Sequence, residues 1–227
     1  MALKDQIRIF FRWPVIETLP NRIRRIFSAD WGQRQLKMPV LETERLVLRP
    51  LDQDDLRDII AWEEVSWAQN TDAAAQEFLD FCFREYRERG IGPWGIQWKQ
   101  TGAIVGNCGF PHIIFKKLCG EVNCYIASRH RGKGLALEAL QALFLFGFRD
   151  IGLTRIQARC APDNLSSQRL AEKAGMRCEG WIESASFSND PSPKQKLYAI
   201  QGHDFNKVNN SIYNRAINMT APSEDGS

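Results

Sequence analysis

Between Ser128 and Leu140 the chain reads SRHRGKGLALEAL, in which Arg129, Arg131 and Lys133 are interleaved with His130, Gly132 and Gly134 before the run turns apolar. Two glycines beside three cations, at the point where a strand gives way to a helix, expose backbone N–H groups and the positive end of that helix together. The chemistry open to such a turn is the binding of a phosphate or pyrophosphate by the amides of residues 130 to 136, with Arg129, Arg131 and Lys133 adding full charges around it. Spacing excludes two other phosphate-binding designs. The G-x-x-x-x-G-K-[ST] loop fails because Gly134 is followed by Leu135, and G-x-G-x-x-G fails because Leu137 stands where its third glycine belongs. Further on, Asn164-x-x-Ser167 opens a short helical stretch, where an asparagine followed by a serine three residues later reads as a cap.

The elements that must position these residues follow from periodicity. ERLVLRPL (44–51) alternates as a half-buried strand, LRDIIAWEE (56–64) has helical spacing, and a second helix runs from near Thr71 to Gly90. WGIQWK and AIVGNCGF pair as strands across QTG, CGEVNCYIA is a strand entering the glycine turn, and a long helix is expected over about 131–150, stopped by Gly152. TRIQARCA, a short helix closed by Gly175, and strands at about 177–187 and 195–201 complete the pattern. This order predicts an α/β fold, a mixed sheet of about seven strands with helices on both faces. Alternation puts Glu121, Asn123 and Tyr125 on one face of their strand.

Composition bounds the rest. The chain has 227 residues, 44% of them hydrophobic and 25% charged, with no apolar run long enough to span a membrane and no continuous hydrophobic leader, so a cytoplasmic protein is expected. Six cysteines lack any C-x-x-C spacing, and no histidine sits at ligand distance, which predicts reduced thiols and no metal. Residues 1–37 carry eight Lys or Arg against three Asp or Glu. We read 1–38 as a basic amphipathic arm, 39–205 as the folded domain and 206–227 as a polar tail without fixed structure. The arm suits a strap on its own domain or on a second subunit, or contact with RNA or an anionic membrane.

The turn Arg129-x-x-Gly132-x-Gly134 resembles the acyl-coenzyme A pyrophosphate loop of the GNAT acetyltransferases. LETERLVLRPL, EVNCYIASRHRGKGLALEAL and IQARCAPDNLSSQRLAEKAGMRCEG are similar to that family's first strand, its fourth strand with pyrophosphate helix, and its following strand, N-x-x-S helix and closure. The likeness covers about 41–203 and is nearest the RimJ/RimL-like branch, which acetylates ribosomal-protein N-termini. It implies a mostly antiparallel central sheet splayed at the cofactor site, and N-acetyl transfer from acetyl-CoA to a primary amine, a protein N-terminus or small amine, by direct attack in a ternary complex.

The resemblance also implies roles. Ile126, Arg129, His130, Arg131, Gly132, Lys133, Gly134, Leu135 and Ala136 hold the cofactor. The N–H of Tyr125 meets the thioester oxygen. Asn164 bonds the cofactor arm, and Ser167 stands near the sulfur. Glu121 takes the amine proton through water, with Glu63 and Glu64 lining the acceptor side. Tyr198 is a second candidate for proton donation. Asn123 stands where many similar sequences have glycine and so enters the acceptor face. A GNAT-fold binding or regulatory module that binds CoA and docks a partner through its arm is the alternative, and a longer acyl donor and a homodimer remain open.

Overall fold

A computed structural model of the chain describes residues 38–62, 72–183 and 194–205. Residues 1–37 of the basic arm, the tail, and Glu63 and Glu64 lie outside the described residues. The elements are β1 (Leu41–Glu42), β2 (Leu46–Pro50), α1 (Leu56–Ile60), α2 (Asp72–Arg89), β3 (Trp94–Trp98), β4 (Ile104–Ile114), β5 (Cys119–Ile126), α3 (Leu135–Leu145), β6 (Arg155–Cys160), α4 (Leu165–Lys173), β7 (Arg177–Glu183) and β8 (Lys194–Gln201). One sheet of eight strands runs in the order β1-β2-β3-β4-β5-β6-β8-β7. The strand beyond the expected seven is β1, which pairs Leu41 with Leu48 and Glu42 with Val47 and is too short to show alternation in sequence.

Every described pairing is antiparallel except β5 with β6, because α3 carries the chain back to the starting end of β5 before β6 begins. That helix is an apolar run whose Leu135, Ala139, Leu140, Leu143 and Phe144 are buried against Leu46, Leu48, Trp94, Ile96, Val122, Ile126 and Ile156 of the sheet. On the other face α1 and α2 bury Ile59, Phe78, Leu79 and Cys82 with Leu51, Trp62 and Ile104. Each large side chain fully withdrawn from water contributes about 1.5–3 kcal/mol, so the two clusters fix the sheet between its helices. Tyr86 ties α2 to the strands: its hydroxyl accepts from Leu51 N–H at 3.0 Å and donates to Pro93 O at 2.5 Å.

The long helix differs from its expected span. Gly132 and Gly134 adopt φ of 76° and 78°, a left-handed geometry that a helix excludes, so α3 starts at Leu135 rather than near Arg131. Beyond Leu145 the backbone widens into a π-helical turn, Phe146–Ile151, before Gly152 closes it at φ 81°. All six cysteines are free thiols, and only Cys178 is exposed. No helix of the described residues is long and apolar enough to cross a membrane.

Candidate active site

Because β5 and β6 are parallel, their C-terminal ends, and the starts of α3 and α4 that follow them, lie at one end of the sheet. This is where open sheets collect ligands. β5 pairs with β6 only through Cys119–Arg155, Gly120–Ile156 and Glu121–Gln157. Beyond that point β5 stays on β4 as far as Ile126 while β6 stays on β8 as far as Cys160, so the sheet opens into a gap walled by residues 122–126 on one side and 158–160 on the other.

Backbone parity decides which amides face that gap. Ala127 N–H donates to Val105 O at 2.9 Å, and Asn107 lies opposite Tyr125, so residues 125 and 127 turn their N–H groups toward β4. Cys124 and Ile126 therefore face the opening. The Ile126 carbonyl agrees, since it accepts from Arg131 Nε at 2.8 Å on that same side. Tyr125, the donor that the resemblance implies, turns its N–H toward β4, and the amides that face the gap are those of Cys124 and Ile126. The Tyr125 ring instead packs on Trp62, centroids 5.5 Å apart, and under the Arg131 guanidinium at 5.8 Å.

At the mouth of the gap, Ser128–His130 form a 3-10 turn in which His130 N–H donates to Ala127 O and Arg131 N–H to Ser128 O. Of the amides expected in the cradle, those of His130 and Arg131 are engaged within this turn. Helix geometry leaves the amides of Leu135, Ala136 and Leu137 without acceptors, the first i to i−4 bond being Glu138 N–H to Gly134 O. A Cβ at Gly132 would meet nothing within 4 Å, so the turn presents bare backbone there. Orphan amides on an apolar helix with three exposed cations suit a diphosphate; Gly132, Lys133, Gly134, Leu135 and Ala136 would hold it, with Arg129 and Arg131 beside them. Lys133 Nζ sits 4.6 Å over the Trp98 ring, and Arg129 Nε donates to His130 Nε2 at 3.0 Å. Burial, with the charges of Arg129 and Lys133, holds the His130 imidazole below its ordinary range and so neutral.

Three residues that sequence reasoning missed brace this turn. Glu138, on the first turn of α3, accepts from Thr43 Oγ1 at 2.5 Å, from Arg45 N–H at 2.8 Å and from Arg45 Nε at 2.7 Å. Arg45 also donates through Nη1 to Lys133 O at 2.9 Å. Burial alone would raise the Glu138 carboxyl, but the Thr43 and Arg45 hydrogen bonds and the Arg45 charge outweigh it and hold it below the usual carboxylate range. The only signal in sequence was a glutamate inside an apolar helix.

On the α4 side, Asn164 caps the helix: its Oδ1 accepts from Ser167 N–H at 3.0 Å and Ser166 Oγ at 2.8 Å. The Ser167 hydroxyl takes no part in the cap, and the exposed Asn164 keeps its side-chain NH2 outside it. Tyr198 is committed elsewhere. It is 1% exposed, donates to Glu172 Oε1 at 3.2 Å, and burial with that hydrogen bond pushes its phenol up to about 12. Cys124 and Cys160 are no better as acyl carriers, because burial raises both thiols, that of Cys124 to about 12.

Residues expected on the acceptor side fall in a row across three strands on the face that carries α2. Glu121 is half-buried; its Oε2 accepts from Arg159 Nε at 2.9 Å and Gln157 Nε2 at 3.3 Å. His112 of β4 stands directly opposite Glu121, a neighbour invisible in sequence because it lies across the β4–β5 pairing. Asn123 is exposed opposite Gly109. Glu85 and Arg89 of α2, a buried ion pair, complete the surroundings of His112.

Comparison with known proteins agrees with this geometry. The family model described as acetyltransferase (GNAT) domain matches residues 45–177. YoaA, an uncharacterized N-acetyltransferase of Bacillus subtilis (strain 168), is 30% identical over 171 residues, covering 71% of this chain and 96% of that protein. The ribosomal-protein-serine acetyltransferase of Escherichia coli (strain K12) is 30% identical over 112 residues, spanning 49% of this chain and 62% of that protein. A crystal structure of a GNAT-family acetyltransferase from Bacillus anthracis superposes with a TM-score of 0.61 at 25% identity, covering 73% of this chain and 99% of the other. Since the family match takes in the glycine turn, the split between β5 and β6 and the start of α4, the chain belongs to the GNAT acetyltransferases.

Proposed function

We propose that the chain transfers the acetyl group of acetyl-CoA to a primary amine, a protein N-terminus or a small amine, by direct attack of the nitrogen on the thioester. GNAT acetyltransferases draw their acyl group from acetyl-CoA, and the observation that carries the reading here is the opening between β5 and β6 with orphan helix amides at its mouth. Residues 132–136, with Arg129 and Arg131, hold the diphosphate. The Cys124 and Ile126 amides stabilise the carbonyl oxygen as charge develops on it, a contribution typically worth 10²–10³ in rate for one such donor. Asn164 offers its side-chain NH2 to the pantetheine arm and Ser167 its hydroxyl to the departing sulfur. Glu121 and Asn123, with Glu63 from outside the described residues, line the acceptor side.

An α-amine with a pKa near 8, or a lysine near 10.4, is mostly protonated at neutral pH, so the site must accept a proton as well as orient the nitrogen. The similarity to a ribosomal-protein-serine acetyltransferase supports peptide N-termini as the first acceptors to test. Full-length protein is incubated with acetyl-CoA and a panel of Ser- and Ala-initiated peptides, polyamines and amino acids while free thiol is measured. Amine-dependent thiol release is expected. Saturable CoA binding with no such release across the panel would make the chain a binding module instead.

A further inference from the structure

We propose that Arg45 and the Lys133 side chain form a subsite for the 3′-phosphate of coenzyme A, so that the protein prefers CoA to its dephospho form. The inference rests on the reading of the glycine turn as the CoA site and deepens it.

The cations around the turn exceed what a diphosphate needs. A diphosphate diester carries one negative charge on each phosphate, and the orphan amides of α3 with Arg129 and Arg131 answer both. Arg45 and Lys133 remain. CoA has one further anionic group, a phosphate monoester on its ribose, within a few bonds of the diphosphate. Near pH 7 that monoester holds about 1.5–2 negative charges, which suits two cations.

Sheet topology brings these two side chains together. β2 begins, and β3 and β5 finish, at the same end of the sheet, because the pairings from β2 through β5 are antiparallel. Leu46 lies opposite Trp98, and Lys99 N–H donates to Arg45 O at 2.9 Å, so Arg45 stands beside the last residue of β3. Trp94, Ile96 and Trp98 share the face that carries α3. The Trp98 indole thereby meets the glycine turn: Lys133 Nζ lies 4.6 Å over the ring, and the His130 imidazole meets it edge-on at 5.8 Å.

Both cations are held in place by the protein itself. Arg45 bonds Glu138 through Nε and its backbone N–H, and Lys133 O through Nη1, so its guanidinium bridges the first turn of α3 and the glycine turn. Nη2 takes no part in those bonds and lies 3.4 Å from the point where a Cβ on Gly134 would stand. That edge of the fork borders the bare backbone of the turn, and the side chain is 44% exposed, within reach of a ligand. Cation–π attraction seats the Lys133 ammonium on one side only, which leaves N–H donors for a phosphate, and a side chain already ordered loses less freedom on binding. Lys99, at the same end of the sheet, is engaged with Glu42 Oε2 at 3.2 Å and Thr43 O at 2.8 Å and serves as a matched control.

Calorimetry of CoA and of dephospho-CoA on the full chain tests the subsite, read as the ratio of the two affinities. The wild type is expected to prefer CoA about 10-fold, the low end for charge-assisted bonds because both cations are partly exposed. The preference should shrink as salt is added, and shrink again below about pH 6, where the monoester takes up a proton. Lys133→Gln and Arg45→Gln should each lower the ratio about 3-fold. Arg45→Gln also loosens the brace on Glu138, but a brace alone would weaken both ligands equally and leave the ratio intact. Lys99→Gln should keep the wild-type ratio. Equal affinity of the wild type for the two ligands would overturn the inference while leaving the CoA site standing. A wild-type ratio in either Lys133→Gln or Arg45→Gln, or a loss in Lys99→Gln as large as in Lys133→Gln, would do the same. Should Arg45→Gln not fold, the Lys133→Gln ratio decides. No binding of either ligand would overturn the reading of the glycine turn as well.

Discussion

Replacing Gly134 by alanine tests the helix entry without adding a large group. Gly134 has φ of 78°, where a Cβ costs about 1–2 kcal/mol, and the added carbon would lie 3.4 Å from Arg45 Nη2. Gly102 is a matched control: its φ is 72°, a Cβ there meets nothing within 4 Å, and it lies in the β3–β4 turn away from the cradle. In Gly102→Ala the strain appears only as lost stability. In Gly134→Ala the short turn relieves part of the strain by rotating away from the left-handed geometry, and CoA must restore it to align the amides of residues 135–137. Of the 1–2 kcal/mol, the part repaid on binding weakens CoA by up to about 5–30-fold. Calorimetry of CoA binding and thermal unfolding are run on both variants and on Glu121→Gln, which should bind CoA as the wild type does. Wild-type CoA affinity in Gly134→Ala, with a stability loss equal to that of Gly102→Ala, would refute the argument that residue 134 shapes the diphosphate site. Gly134→Val, with a β-branch at the same φ, should weaken binding further.

Asn164→Ala should cost about 1 kcal/mol of stability through the lost cap, whereas Ser167→Ala should leave unfolding unchanged, because the cap uses its backbone N–H; a fall in kcat for Ser167→Ala alone then measures the hydroxyl. Glu138→Gln should lower Tm at pH 7. Because the folded carboxyl lies below its unfolded value, the wild-type advantage is present above about pH 4.3 and should vanish as pH falls through the folded value, which paired acid-melting curves would show. Tyr198→Phe should cost about 0.5–1.5 kcal/mol through the lost bond to Glu172 while changing kcat less than about 3-fold; a loss of kcat without loss of stability would return Tyr198 to the chemistry.

What the sequence made legible was local. The glycine turn, the apolar helix after it and the Asn164 cap are each encoded within a few residues, through conformational freedom at glycine, hydrophobic spacing and side-chain capping. The start of α3 was misplaced because helical spacing in the apolar residues gives no sign of the left-handed φ at Gly132 and Gly134. The direction of the Tyr125 N–H is not legible locally, because alternation places side chains, whereas the direction of an N–H depends on which neighbour the strand pairs with, here fixed by Ala127 and Val105. His112 escaped for the same reason, since its position opposite Glu121 depends on one extra residue in a pairing that no local pattern shows. The Thr43–Arg45–Glu138 brace joins residues some ninety positions apart.

Direct transfer is the claim on which the rest stands, and a rapid-quench experiment with acetyl-CoA labelled in the acetyl group tests it most directly. With full-length protein in slight excess and a reactive amine present, the label should pass to the amine in a single phase, with none recovered covalently on the protein. Label trapped on a cysteine before it reaches the amine, or label that stays on CoA at saturating amine while CoA remains bound, would contradict the account.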